Sequence, residues 1–335
     1  MIKLVLSVTA CALLVISGIV LHGLSAFELP ERAQQTLSFS LGDAHLEGTL
    51  LLPDNQQNPP VVLLVHGDGA QDRWSDGGYL PLVNALVAQG IGVFSWDKPG
   101  VAASSGDWLA QTLRDRAEEA VAAVQTLRAR PELKESRLGF LGFSQAGWVV
   151  PYASQHSTAD FIVLIGPAIN WREQGFYYMQ QRLAAEGAEP PVIAAAIATE
   201  RAAYAQRFSP QTVMQPCASR CTRDDFERRN ALSDARQDIA AQRVPVMVLM
   251  GAQDLNVSSK ETLTVWSRLL PVATSRCLRE VKDATHGLLR AKWFNYQLSE
   301  QWPRWTQWGF LAAGQSAYAP GALNAISEWV LERRC

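Results

Sequence analysis

The chain has 335 residues, 48% of them hydrophobic and 19% charged, so it carries enough apolar material for a substantial core. Its formal net charge of −2 comes without a basic stripe to neutralise phosphates, which excludes a nucleic-acid partner. No internal repeat or low-complexity run interrupts it.

At the start, Met1-Ile-Lys3 precedes an almost continuous apolar segment, Leu4–Leu21, and then Gly23-Leu-Ser-Ala26. One positive charge, an apolar core and small residues at a cleavage point predict a secretory signal over residues 1–26. The core is long for that purpose, so an uncleaved membrane anchor over residues 4–21 is the competing reading. Too few apolar residues precede Val8-Thr-Ala-Cys11 for a lipid-attachment box.

After the leader, Gln35–Pro53 alternates like a β-hairpin turning at Gly42-Asp43. The run Val61–Val65 reads as a buried parallel strand and ends at His66-Gly67-Asp68-Gly69. A helix over Leu80–Gln89, stopped by Gly90, leads to a strand at Ile91–Trp96. An amphipathic helix follows at Arg114–Arg128, then a strand at Leu138–Phe143 running straight into Ser144, a helix, and a strand at Phe161–Ile165. Between Gly166-Pro167 and the strand beginning near Val244 the pattern is helical only, over Gly175–Glu186, Pro191–Phe208 and Asp224–Ala241. A short strand, Leu278–Val281, and a tryptophan-rich tail (Trp293, Trp302, Trp305, Trp308) complete the chain. Alternating strands and helices predict an α/β domain over 27–335 with a doubly wound, mostly parallel sheet and a helical lid at about 168–242. Functional residues then fall at the carboxyl ends of strands.

Ser144 stands in Gly142-Phe-Ser-Gln-Ala-Gly147, an apolar strand leading into a turn flanked by small residues and then a helix. That is the setting of a nucleophile elbow, which holds a serine on a sharp, strained turn with its oxygen exposed. Ala146 stands where the third glycine of the common pattern falls. Taken alone the motif is weak, since a plain strand-to-helix turn has the same composition. The His66-Gly-x-Gly loop adds an oxyanion hole, with backbone N–H donors expected from Asp68 or Gly69 and from Gln145. The chain has five histidines, and His286, in Asp283-Ala-Thr-His286-Gly287, is the one lying downstream in a loop. Asp254 ends the strand before it, in Gly251-Ala-Gln-Asp254. The order Ser144, Asp254, His286 is that of a nucleophile, its orienting acid and its base in hydrolases of this topology.

With His66-Gly-Asp-Gly, Trp96-Asp-Lys-Pro-Gly100, Gly142–Gly147, Gly251–Asp254 and His286-Gly in place, the chain resembles the α/β-hydrolase superfamily over residues of about 60 to 290. Within it, the resemblance is to bacterial serine hydrolases of the dienelactone-hydrolase, acyl-esterase and S9/S15-type peptidase branches. The resemblance implies the α/β-hydrolase fold and a Ser144–His286–Asp254 triad forming an acyl-enzyme, with the fold's usual roles for each residue. The expected substrate is a small acyl ester. A peptidase, amidase or thioesterase using the same triad is the alternative, and a non-catalytic binding protein on this scaffold is a third. No metal or organic cofactor is expected: His and Cys spacing offers no zinc cluster, and the glycine loops match no phosphate or dinucleotide fingerprint.

Cys11 falls in the leader, leaving Cys217, Cys221, Cys277 and Cys335, an even number that suits an exported protein. Four cysteines allow three pairings. The close spacing of Cys217 and Cys221 suggests one local bridge, which leaves Cys277 and Cys335 for a second; four free thiols are the alternative. These features predict a periplasmic or secreted protein. In the lid, Trp171, Phe176, Tyr177 and Tyr178 either line a substrate pocket or pack the lid to the core, and Arg228-Arg229 either faces solvent or grips a carboxylate. The tail tryptophans are expected mainly to pack, with sugar binding or a membrane interface as alternatives.

Overall fold

Eight strands form one sheet in the order β1-β2-β4-β3-β5-β6-β7-β8. They are β1 (Gln34–Leu41), β2 (Ala44–Leu51), β3 (Val61–Val65), β4 (Gly92–Trp96), β5 (Leu138–Phe143), β6 (Phe161–Ile165), β7 (Val246–Gly251) and β8 (Arg276–Val281). The computed structural model describes residues 17–18, 20–29, 34–54 and 56–335. Strands β1 and β2 form an antiparallel hairpin, and β2 is antiparallel to β4. From β4 onward every pairing is parallel. The predicted doubly wound, mostly parallel sheet is therefore present.

The central strands are apolar on both faces because both faces are covered. In β3, Val61, Leu63 and Val65 face one core, and Val62 and Leu64 face the other. The first core is closed by the helices Leu113–Arg128, Ala146–Gln155 and Ser259–Leu269, the second by Leu80–Ala88 and Ala322–Glu332. Thr112 caps the helix Leu113–Arg128 through a reciprocal box with Asp115, which fixes where that helix begins.

Between β6 and β7 the insertion is helical, as predicted, with its longest helices at Trp171–Ala185 and Pro190–Arg207. The single helix expected over Asp224–Ala241 is two, Arg223–Asn230 and Arg236–Ala240. Backbone pairing causes the break: Asn170 bridges Asp234, Trp171 N–H donates to the Ser233 carbonyl, and Ala235 N–H donates to that of Ile169. Asp234 then accepts from the Arg236 N–H and restarts the helix. Arg228 neither faces solvent nor stands free, since it donates to the carbonyls of Thr212 and Gln215 and pairs with Asp225. Arg229 donates to the Ala110 carbonyl.

Two disulfides join Cys217 to Cys221 and Cys277 to Cys335. The second ties the chain end to buried Cys277 of the edge strand β8 and holds the helix Ala322–Glu332, with Ile326 and Trp329 buried, against the sheet. Most of the apolar leader, residues 4–16, lies outside the described residues, and among those described no helix is long and apolar enough to cross a membrane. Because the Cys277–Cys335 bridge closes residues 58 apart, its loss frees a long loop in the unfolded chain, worth about 4 kcal/mol. Cys277→Ser/Cys335→Ser should therefore melt several degrees lower in a thermal scan. An unchanged Tm would mean that packing alone secures the tail.

Candidate active site

Strand β5 delivers Ser144 with a backbone φ of +49°, the left-handed region that costs a non-glycine residue about 1–3 kcal/mol. Neighbouring backbone holds it there. Ser144 N–H donates to the Ile165 carbonyl at 2.9 Å, and its carbonyl accepts from the N–H groups of Gly147 (2.9 Å) and Ala168 (3.1 Å). The small residues around it are needed for contact. A Cβ on Gly142 would stand 2.7 Å from that of Ala146, and one on Gly147 would stand 2.2 Å from the Ala168 carbonyl oxygen. Ala146 is therefore tolerated at the elbow because Gly142 leaves it room, while the close helix–loop approach falls to Gly147.

Strand β7 delivers Asp254, whose side chain is wholly buried. Its Oδ1 accepts from the N–H groups of Asn256 (2.7 Å) and Val257 (2.9 Å), leaving Oδ2 for His286 Nδ1 at 2.7 Å. A carboxylate only accepts, so Nδ1 carries the proton and the Nε2 lone pair faces away from Asp254. Gly251 makes the crossing possible, since a Cβ there would lie 2.1 Å from the Thr285 carbonyl oxygen. Gly166, at φ +57°, leaves space for the imidazole: a Cβ would lie 2.7 Å from His286 Nδ1. Ser144 is bonded to Ile165, next to Gly166, which places the serine turn and the imidazole on either side of the carboxyl end of β6. Among the described residues the Ser144 hydroxyl has no hydrogen-bond partner, leaving the link to His286 open.

The loop after β3 lies against the serine, with Gly67 directed so that its Cβ would be 3.5 Å from that of Ser144. His66 is buried, and its Nε2–H donates to the Trp96 carbonyl at 2.7 Å. Burial, with the nearby Lys98, pushes its pKa down to about 3, so it is a neutral structural group. The N–H groups of Asp68 and Gln145 donate to no described residue. Their side chains are joined instead, Gln145 Nε2 donating to Asp68 Oδ1 at 2.9 Å.

Lys98, Arg116 and Arg223 are the residues that sequence reasoning missed. Lys98 is fully buried at the end of β4, and its Nζ donates to the carbonyls of Gly67 (2.6 Å) and Gly69 (2.7 Å). Burial, aided by the charge of Arg116, lowers its pKa well below the usual lysine range. Arg116 donates to the His66 carbonyl at 2.8 Å and to Gln145 Oε1. Arg223 of the insertion grips Asp68 with both guanidinium nitrogens, at 2.9 and 2.5 Å. Burial raises the Asp68 pKa, but the Arg223 hydrogen bonds and charge outweigh it and hold the carboxyl below its ordinary range. The available signal was charge out of place. Lys98 follows an apolar strand, and Arg116 sits on the buried face of its helix with Leu113, Ala117 and Ala120. Of the insertion aromatics, Tyr177 approaches the site, its hydroxyl donating to the Asp254 carbonyl at 2.7 Å. Trp171 and Phe176 pack, against Trp148 and Tyr204 respectively. Among the described residues no cluster of three or more His, Cys, Asp or Glu is arranged to hold a metal.

A sheet in this order, with a strained serine after β5, a carboxylate after β7 and a histidine after β8, defines an α/β hydrolase. The family model described as serine aminopeptidase, S33, matches residues 56–292, and the chain belongs to that family. A curated relative, Esterase EstD of Thermotoga maritima, is 28% identical over 126 residues, which is 36% of this chain and 30% of that protein's length. Among solved structures, an esterase of Pyrococcus furiosus superposes with a TM-score of 0.54 at 18% identity, covering 76% of this chain and 83% of that one. Est1E of Butyrivibrio proteoclasticus, bound to ferulic acid, superposes at 0.55 and 16% identity, covering 89% and 97%. At these identities the likeness is one of fold.

Removing the Lys98 amine would leave the buried Gly67 carbonyl and the partly buried Gly69 carbonyl short of a donor. Lys98→Met should therefore destabilise the protein by about 1–3 kcal/mol in denaturant unfolding. Unchanged stability would contradict a clamping role.

Proposed function

We propose that the protein is an exported serine hydrolase cleaving carboxylic esters of small acyl substrates. The observation that carries the reading is the Asp254–His286 pair at 2.7 Å beside a serine strained on its elbow. In the proposed mechanism His286 Nε2 takes the proton of Ser144 Oγ as that oxygen attacks the acyl carbonyl. The tetrahedral oxyanion accepts from the free N–H groups of Asp68 and Gln145, a contribution of about 3–4 kcal/mol per donor. His286 returns the proton to the leaving alcohol, giving an acyl-enzyme that water hydrolyses by the same route reversed. Asp254 holds the imidazole tautomer and stabilises its charged form. The open Ser144–His286 link suits a free enzyme, since catalytic hydrogen bonds often tighten only with substrate.

In this reading the helical insertion at about 168–242 is a lid, latched to the oxyanion loop by Arg223–Asp68 and to the acid loop by Tyr177. Ester substrates are supported by the partial match to EstD. The family description supports a second reading, in which the same triad cleaves an amide or peptide bond. Export, to the periplasm or beyond, is supported by the leader sequence and the two disulfides.

Hydrolysis of p-nitrophenyl acetate, butyrate and octanoate, beside an aminoacyl p-nitroanilide, separates the two substrate classes. Ester turnover should dominate, and Ser144→Ala should abolish nearly all of it while leaving the fold intact. Full turnover in that variant would overturn the assignment. Asp254→Asn should lower kcat by about 10³–10⁴ through loss of tautomer control, and a normal rate would mean another carboxylate serves.

A further inference from the structure

Large exposed apolar side chains gather at the junction of the amino-terminal stub and the tail. The helix Arg304–Ala313 buries Thr306 and Phe310 against the domain. Trp305 and Trp308, one turn apart on its outer face, are 58% and 70% exposed. Residues 20–25 are helical and cross the far end of this helix: a Cβ on Gly23 would fall 1.9 Å from the Ala312 carbonyl oxygen. The stub has its own two sides. Gly23 and Ala26 are buried, Phe27 meets Phe310 edge-on at 5.4 Å, and the Ala26 carbonyl accepts from Asn84 Nδ2 at 2.7 Å. Leu21 and Leu24, one turn apart, point outward. Trp308 stands one turn from Ala312, so the tryptophans and leucines belong to adjoining helices joined at a glycine contact.

We propose that this face seats the protein on the surface of a lipid bilayer. The sequence leading into the stub and overlapping its first residues, Leu4–Leu21, is apolar and long enough for a membrane span, so the chain reaches the face from an apolar segment. Tryptophan is the side chain enriched at membrane–water interfaces, where its ring is buried in part and its N–H stays wet. Trp305 and Trp308 then form one edge of an interfacial belt, and Arg304 at the head of the same helix is placed to meet headgroups. The proposal is independent of the catalytic reading.

The test uses the full chain mixed with vesicles of equal parts phosphatidylcholine and phosphatidylglycerol, brominated on their acyl chains. Tryptophan emission should shift to the blue and be quenched, and Trp305→Ser/Trp308→Ser should lose that quenching while keeping the wild-type Tm. Emission that ignores the vesicles, or equal quenching in the double variant, would overturn the proposal. So would dimerisation without lipid that the double variant abolishes, because the face would then belong to a second copy. A mature chain starting after Leu24, read by intact mass, would also contradict it, since the stub would be missing.

Discussion

The site is organised around the backbone of Ser144, held at φ +49° where a side-chain-bearing residue prefers not to be. That strain persists because the turn is surrounded by backbone that cannot relax. The carbonyl of Ile165 takes its N–H, and the N–H groups of Gly147 and Ala168 take its carbonyl. Three missing side chains make these contacts possible: Gly142 admits Ala146, Gly147 admits the Ala168 peptide, and Gly166 admits the His286 ring. The serine is therefore presented by a scaffold two strands wide, and the His286 ring packs over the glycine at the end of the second.

Around this turn lies a chain of polar contacts that starts in the core and ends on the insertion. Arg116 binds the Gln145 side chain, Gln145 binds Asp68, and Asp68 binds Arg223. Lys98 holds the same loop from below through two carbonyls. Neutral His66 fixes the loop to β4 through the Trp96 carbonyl. Arg116, Gln145, Lys98 and His66 are buried, so each depends on its partner more than a surface pair would, whereas Asp68 and Arg223 meet at the half-exposed end of the chain of contacts. The loop bearing the Asp68 N–H is held by the sheet on one side and by the insertion on the other, which couples the insertion's position to that loop.

Much of this was legible in the sequence because it follows from short-range rules. Runs such as Val61–Val65 and Phe161–Ile165 are short, apolar and bounded by turn residues, as strands buried on both faces are, and glycine-rich turns at their ends mark where a parallel sheet presents its loops. The disulfide pairing followed from the close spacing of Cys217 and Cys221. The break in the helix expected over Asp224–Ala241 was not legible, because the pairing of Ser233–Ala235 with Ile169–Trp171 is a tertiary event. The Lys98 clamp and the Arg223 latch were hidden for the same reason: Arg223 meets Asp68 across 155 residues of chain. A lone lysine after a strand reads as a solvated end until its neighbours are known.

We propose that Ser144 is a nucleophile activated by His286. Labelling the protein with a fluorophosphonate and locating the adduct by peptide mass spectrometry tests it most directly. A single adduct on Ser144 is expected, formed in the wild-type protein and lost when His286 is replaced by alanine. An adduct on another residue, or equal labelling without His286, would contradict it.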